Sequence, residues 1–233
     1  MNPKERRNLG AHYTSEKNIL KLIKPLFLDE LWQEFESITR GLNPLLSKKL
    51  QEFHKKLSEL KFLDPACGCG NFLVISYREL RLLELEVLRA LNRNSKGASP
   101  LVLDVSQIIW LDVDQFYGIE YEEFPVRIAE VAMWLIDHQM NMKISNEFGQ
   151  YFVRLPLKKS AKIVHGNALK MDWENVLPHH CDTEPSSAFP QSETKRSSDF
   201  HQNGENIYII GNPPFIGSRI MNKEQKHDLT AVF

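Results

Sequence analysis

The residues best suited to chemistry stand where short apolar runs end. Residues 207–211 form such a run, and it ends at Asn212-Pro213-Pro214-Phe215. Consecutive prolines donate no backbone hydrogen bond and fix a stiff bend directly after a strand. That stiffness holds the Asn212 side-chain carbonyl and the neighbouring backbone carbonyls as a fixed array of acceptors, with Phe215 beside them. Such an array can accept both hydrogens of an exocyclic amine while the aromatic ring stacks on its heterocycle. A second cluster, Asp64-Pro65-Ala66-Cys67-Gly68-Cys69-Gly70-Asn71-Phe72, follows the run Lys61–Asp64. Small residues let the backbone approach a ligand closely, and the helix that starts there presents free N–H groups. It is not the dinucleotide fingerprint: Gly68 and Gly70 fill the first two glycine positions, but Leu73 stands at the third. By itself the Gly-x-Gly equally suits a plain strand-to-helix turn. The third candidate is Glu120, closing Tyr117-Gly118-Ile119-Glu120. An acid at the tip of the strand after a Gly-rich turn suits the two hydroxyls of a ribose. The connection over 73–115 is longer than the usual ~20-residue separation, and an ordinary strand-end carboxylate is the alternative.

These groups need a scaffold, and the apolar periodicity describes one. Segment 15–38 predicts a helix, with Ser15 as cap and Ile19, Leu22, Ile23, Leu26 and Phe27 at helical spacing. Pro25 inside it predicts a kink or a break. Leu46, Leu50, Phe53, Leu57 and Leu60 mark a second helical face, and Lys48, Lys49, Lys55 and Lys56 read as its solvated side. Lys61–Asp64 is the first strand, and the helix after the Gly-rich turn buries Leu73, Leu80, Leu83, Val87 and Leu91. Residues 94–100 read as a turn, and 101–110 fit either a helix or a strand. Phe116–Glu120 is the second strand, followed by a helix marked by Phe124, Ile128, Val131 and Leu135, with Pro125 in its first turn. Lys162–His165 and 207–211 are the third and fourth. Strands alternating with helices predict an α/β fold with a parallel sheet covered on both faces. Residues 178–206, rich in Ser, Pro, Thr, His and charge, read as a disordered or surface insertion.

Composition narrows the classes. The chain has 233 residues, 42% of them apolar, enough for one substantial domain. Lysine and arginine balance aspartate and glutamate to a net charge of −1, which excludes a histone-like polycation. Mean hydropathy is −0.36, no apolar run approaches a membrane span, and no apolar stretch follows the charged N-terminus as in a signal peptide. Three cysteines make a disulfide framework a poor fit, so a reducing cytoplasm is expected. Cys67 and Cys69 lack a matching second pair and read as small buried residues in a turn. His179, His180, Cys181 and His201 are too loosely spaced for the usual zinc geometry, so no metal site is expected.

With these residues in place, the sequence resembles the class I S-adenosylmethionine-dependent methyltransferases, specifically the N6-adenine DNA methyltransferases. Gly10-Ala11-His12-Tyr13-Thr14-Ser15 looks like the motif that closes over the methionine end of the cofactor. Asp64 to Phe72 is similar to the cofactor-binding loop, Ile119-Glu120 to the ribose-binding acid, and Asn212-Pro213-Pro214-Phe215 to the catalytic motif. The motif order resembles the gamma arrangement. Asp114-Gln115-Phe116-Tyr117-Gly118-Ile119-Glu120 together with Gly-Asn-Pro-Pro-Phe-Ile-Gly-Ser looks like the MmeI-like branch, where restriction and modification share one polypeptide. The resemblance implies that Tyr13 and Thr14 contact the methionine portion of S-adenosylmethionine and that Asp64, Ala66, Gly68 and Gly70 line it. Phe72 then packs near the adenine of the cofactor and Glu120 binds its ribose. Asn167 and Ala168 stand where an acid is usual; Asn167 can still accept from the adenine amino group. The catalytic set is Asn212, Pro213, Pro214 and Phe215, acting on an adenine flipped out of double-stranded DNA.

The fold this implies is a Rossmann-like methyltransferase core over 61–233 with a helical N-terminal extension over 1–60. It is expected to be C-terminally incomplete, with further strands and a target-recognition region downstream of Phe233. As it stands, the chain is expected to bind cofactor weakly, to methylate no defined sequence and to be poorly soluble. Related Asn-Pro-Pro motifs also serve methylation of a protein glutamine or a ribosomal RNA base, and an inactive cofactor- or DNA-binding scaffold is a further alternative.

Overall fold

Short runs dense in aromatic and β-branched residues make strands when both their faces can be covered. In the structure, a computed structural model describing residues 14–41, 44–94, 108–148, 160–177, 207–213, 221 and 223–232, four such runs do so. They are β1 (Lys61–Asp64), β2 (Phe116–Glu120), β3 (Lys162–His165) and β4 (Ile207–Ile209). All pair parallel, in the order β3-β2-β1-β4. The chain therefore steps from β1 outward to β3 and then returns to the other side of β1. This reversal of direction is the switch point at which open α/β sheets hold ligands, beyond the carboxyl ends of their strands. The fold is α/β and Rossmann-like, as expected. The fourth strand is shorter than its apolar run: Ile210 still donates to the Leu63 carbonyl at 2.8 Å, and the chain then turns away at Gly211.

The helices are α1 (Glu16–Ile23), α2 (Asp29–Thr39), α3 (Leu46–Glu59), α4 (Asn71–Asn94), α5 (Glu123–Phe148) and α6 (Lys223–Val232). Pro25 neither breaks nor ends the first of them. It lies in a π-helical turn, Lys24–Leu28, that joins α1 to α2, and Asp29 N–H reaches back to the Lys24 carbonyl. Proline has no N–H and its ring crowds the carbonyl four residues back; the wider turn relieves both. On α3 the lysines face solvent with acidic partners, Lys48 3.8 Å from Glu52, Lys55 3.6 Å from Glu59 and Lys56 2.6 Å from Glu34. The sequence face 101–110 is described only from Ile108, and the 178–206 segment, with its four zinc candidates, lies outside the described residues.

One sheet face, with Phe62, Phe116 and Ile163, packs under Ile23, Phe27, Phe53, Leu73 and Met133 from the helices. Phe62 and Phe116 stack with ring centres 4.9 Å apart. The opposite face, with Leu63, Tyr117 and Ile119, is covered by Val176 and Leu177 with Met171 and Trp173, from the chain that follows β3. On α5 the residues that mark its periodicity point outward: Phe124 is 75% exposed, Val131 54% and Leu135 45%. Val126, Ala129, Met133, Ile136 and Met140 are the buried set. The helix is apolar on two sides, so periodicity alone gives the wrong inward face.

Behind the sheet, a set of charged residues is buried between α3, α4 and α5. Arg81 is fully buried; it donates to the Tyr77 hydroxyl at 2.6 Å, to Asp137 at 3.0 Å and to Asn141 Oδ1 at 2.8 Å, and its Nε lies 3.0 Å from Glu84. Glu84 accepts from His54 Nε2 at 2.7 Å and from the backbone N–H groups of Trp110 and Leu111 at 2.8 and 3.0 Å. His54 in turn stacks on the Trp110 ring at 4.2 Å. Burial opposes charge on Glu84, but Arg81 and His54 outweigh it and hold its carboxyl below the ordinary value. This network fixes α4, the helix that leads out of the Gly-rich turn, against its neighbours.

Candidate active site

The predicted site residues that the structure describes beyond Thr14 lie at or just past the carboxyl ends of β1, β2, β3 and β4. Asp64 ends β1 and is buried, with Oδ1 accepting from Ala66 N–H at 3.0 Å. Burial, reinforced weakly by the nearby Glu120, raises its pKa to about 7 although the Ala66 bond works the other way. A cationic group arriving beside it would favour its charged form. The next residues run through Cys67, whose N–H donates to the Ile119 carbonyl at 3.0 Å, so the turn is tied to β2. The Cys67 thiol is buried and its pKa is pushed well up, which keeps it protonated; Cys69 is exposed. Phe72 is buried in the main core at the start of α4.

Glu120 ends β2 and faces that turn. Its Oε2 accepts from Gly68 N–H at 2.9 Å and its Oε1 from Glu122 N–H at 3.0 Å. Each carboxylate oxygen retains a second acceptor direction, which is the capacity a vicinal diol requires. Above Gly68, at φ +56°, a Cβ would meet nothing within 4 Å, so the space beside Glu120 is open. Beyond β3, Asn167 Oδ1 accepts from Leu169 N–H at 3.0 Å and so shapes its own turn, and the Ala168 carbonyl accepts from Trp173 Nε1 at 2.8 Å. The Gly166 N–H donates to the Glu120 carbonyl at 2.8 Å, bringing this turn to the tip of β2.

The chain after β4 comes to the same end of the sheet. Gly211 has φ +149°, a region closed to most side chains, and a Cβ there would lie 2.4 Å from Asp64 Oδ1. The Asp64 carboxylate and the chain leading into Asn212 are thus in direct apposition. Asn212 follows, exposed, and its Nδ2 donates to Thr14 Oγ1 at 3.1 Å. The structure therefore joins the motif at residue 14 to the motif at residue 212. Pro213 is exposed beside Asn212. Tyr13, Pro214 and Phe215 lie outside the described residues.

One neighbour of Glu120 was not singled out in the sequence. Tyr121 directly follows Glu120 and is 65% exposed, and its carbonyl accepts from His165 Nε2 at 2.8 Å. The available signal was an aromatic residue directly after a strand-end acid. Gly211 was legible as part of its motif, but its apposition to Asp64, which joins segments far apart in sequence, was not. Among the described residues, no three His, Cys, Asp or Glu side chains are grouped to hold a metal ion, and no helix is long and apolar enough to cross a membrane.

A ligand with a positive centre and a diol suits these groups: Asp64, Glu120 and the open space at Gly68. Comparison with known proteins identifies the family. The chain is 36% identical over 230 residues to DNA methyltransferase A of Bacillus subtilis (strain 168), covering 98% of this chain and 22% of that protein. It superposes on the type IIL restriction-modification enzyme MmeI, solved in complex with DNA. That match has a TM-score of 0.80 and 55% identity over all of this chain and 27% of that one. The chain thus spans less than a third of the length of either relative. Residues 41–233 match the family described as MmeI, DNA-methyltransferase domain. With its parallel sheet, its strand-end acids and these matches, the chain belongs to the MmeI DNA-methyltransferase domain family.

Proposed function

We propose that this chain transfers a methyl group from S-adenosylmethionine to N6 of an adenine flipped out of double-stranded DNA, as the modification part of a restriction-modification system. The observation that supports it most is the 3.1 Å bond from Asn212 to Thr14. It joins the two segments to which the acceptor and the methionine end of the cofactor are assigned in this reading, with Gly211 lying against Asp64. Glu120 would hold the ribose hydroxyls, Asp64 and Thr14 the methionine end, and Asn167 and Tyr121 the adenine of the cofactor. Bound S-adenosylmethionine supplies an electrophilic methyl on a sulfonium.

The rest falls to this chain. A duplex hides the adenine amine, so the base is extruded at a cost of a few kcal/mol. Phe215 stacks on it. Asn212 Oδ1 and the Pro213 carbonyl accept the two amine hydrogens, turning the nitrogen lone pair toward the methyl. Positive charge grows on that nitrogen as its bond to the methyl forms and the methyl–sulfur bond breaks, the two acceptors stabilise it in place, and the nitrogen then releases one of its hydrogens as a proton to solvent, so no strong base is needed beforehand. Positioning supplies much of the remainder.

Glu120→Ala is expected to weaken S-adenosylmethionine binding about tenfold or more, because hydrogen bonds to a charged group contribute about 1.5–3 kcal/mol each. Titration calorimetry measures this, with circular dichroism to verify the fold. Unchanged affinity in a folded variant removes Glu120 from the site. Nucleoside mass spectrometry of DNA treated with the enzyme and S-adenosylmethionine reads the acceptor atom itself.

A further inference from the structure

We infer that Thr14 is a positioning residue for the transfer step: its hydroxyl fixes which edge of the Asn212 amide faces the acceptor amine. The inference rests on the reading of Asn212 as the amine acceptor and goes beyond a contact between Thr14 and the cofactor.

An asparagine side chain is useful here only in one of two orientations. Its Oδ1 accepts a hydrogen from the amine, whereas its Nδ2 opposes the amine with another donor. The two orientations have nearly the same shape, so packing hardly separates them; a hydrogen-bond partner must. In this structure the partner is Thr14, whose Oγ1 accepts from Asn212 Nδ2 at 3.1 Å. With Nδ2 engaged there, Oδ1 is left for the acceptor amine.

The backbone on either side of Asn212 has little freedom left. Ile210 N–H is bonded to the Leu63 carbonyl at 2.8 Å, and Gly211 lies against the Asp64 carboxylate. Pro213 fixes its own φ and restricts Asn212 as the residue before it. What remains is rotation within the Asn212 side chain, and Thr14 restrains it. Thr14 sits just before α1, whose Ile19 and Ile23 are anchored in the core. The hydroxyl is thus presented by a packed helix start, and it reaches a residue 198 positions away in sequence.

The test compares Thr14→Val, which keeps the shape and removes the hydroxyl, with Thr14→Ser, which restores it, in the protein at its full natural length. With saturating S-adenosylmethionine and DNA, Thr14→Val is expected to lower single-turnover methylation about tenfold, equivalent to ~1.4 kcal/mol. Thr14→Ser is expected to stay within about twofold. Cofactor affinity by calorimetry separates the roles. A Thr14→Val variant that binds S-adenosylmethionine weakly yet turns over normally at saturation makes Thr14 a cofactor contact only, and overturns the inference. A second readout needs no activity. In the ligand-free protein labelled with ¹⁵N-asparagine, the Asn212 side-chain amide signal, assigned by its loss in Asn212→Asp, should move in Thr14→Val and hold its position in Thr14→Ser. A signal unmoved by Thr14→Val contradicts the contact. If the parent enzyme yields no N6-methyladenine, the proposed function fails and the positioning role with it, while this signal still reports whether the contact exists.

Discussion

Asn212→Ala is expected to lower the rate of methyl transfer by about a hundredfold or more, while S-adenosylmethionine binding is expected to stay within about threefold of the parent. The magnitude follows from losing one preorganised acceptor in a site where charge develops on nitrogen, a loss that typically costs 10²–10³ in rate. The selectivity follows from placement. Asn212 is exposed at the end of β4, whereas the groups assigned to the cofactor hang from β1 and β2. Its one described polar contact is with Thr14, so truncation leaves the sheet and the Gly-rich turn intact. Because the amine is held most tightly as it reacts, the loss belongs in the rate at saturation more than in ground-state binding. Single-turnover kinetics with calorimetric cofactor affinity measures both halves. Normal turnover in Asn212→Ala would remove the catalytic role assigned to the motif.

Arg81→Met carries the largest expected cost in stability, about 3–5 kcal/mol at neutral pH, the usual effect of removing one partner from a buried ionic set. Methionine fills much of the volume, so the cost is chiefly electrostatic: Glu84 and Asp137 lose the guanidinium that lies 3.0 Å from each. The sign of the pH dependence distinguishes this from a packing defect. In the parent, Glu84 has a depressed folded pKa. Its contribution is present above the ordinary carboxylate value of about 4.3 and is lost as pH falls through the folded value. In Arg81→Met the same carboxyl is buried without that cation, and its folded pKa rises. Stability is then present below about 4.3 and declines as pH rises. The deficit of the variant is therefore greatest near pH 7 and shrinks on acidification, as read by urea denaturation at two pH values. A deficit independent of pH would assign the loss to packing.

The strands were legible because each is a short apolar run closed by a turn signal, and β1, β2 and β3 begin and end where the pattern places them. The strand-end acids were legible for the same reason, since a strand end fixes where the last side chain lies. The inward face of α5 was not. Phe124, Val131 and Leu135 obey helical spacing as well as Val126, Met133 and Ile136 do, and only tertiary packing decides between them. Nor was the His54, Glu84 and Arg81 network, because charged residues on a helix read as a solvated face until three helices enclose them. The π turn at Pro25 hides in the same way: proline signals a disturbance without saying whether the helix kinks, ends or widens. In the site itself, residue types revealed the motifs one at a time. The apposition of Gly211 to Asp64 and of Asn212 to Thr14 is set by the return of β4 to the far side of β1, which no local pattern encodes.

The central claim is that the Asn212 motif methylates N6 of adenine in DNA. It is tested most directly by incubating the protein at its full natural length with double-stranded DNA and methyl-labelled S-adenosylmethionine. The DNA is then digested to nucleosides, and the modified base is identified by mass spectrometry. Label is expected in N6-methyladenine and is expected to be absent from a parallel reaction with Asn212→Ala. Label in a methylated cytosine, or label confined to protein or RNA with none in adenine, would contradict it.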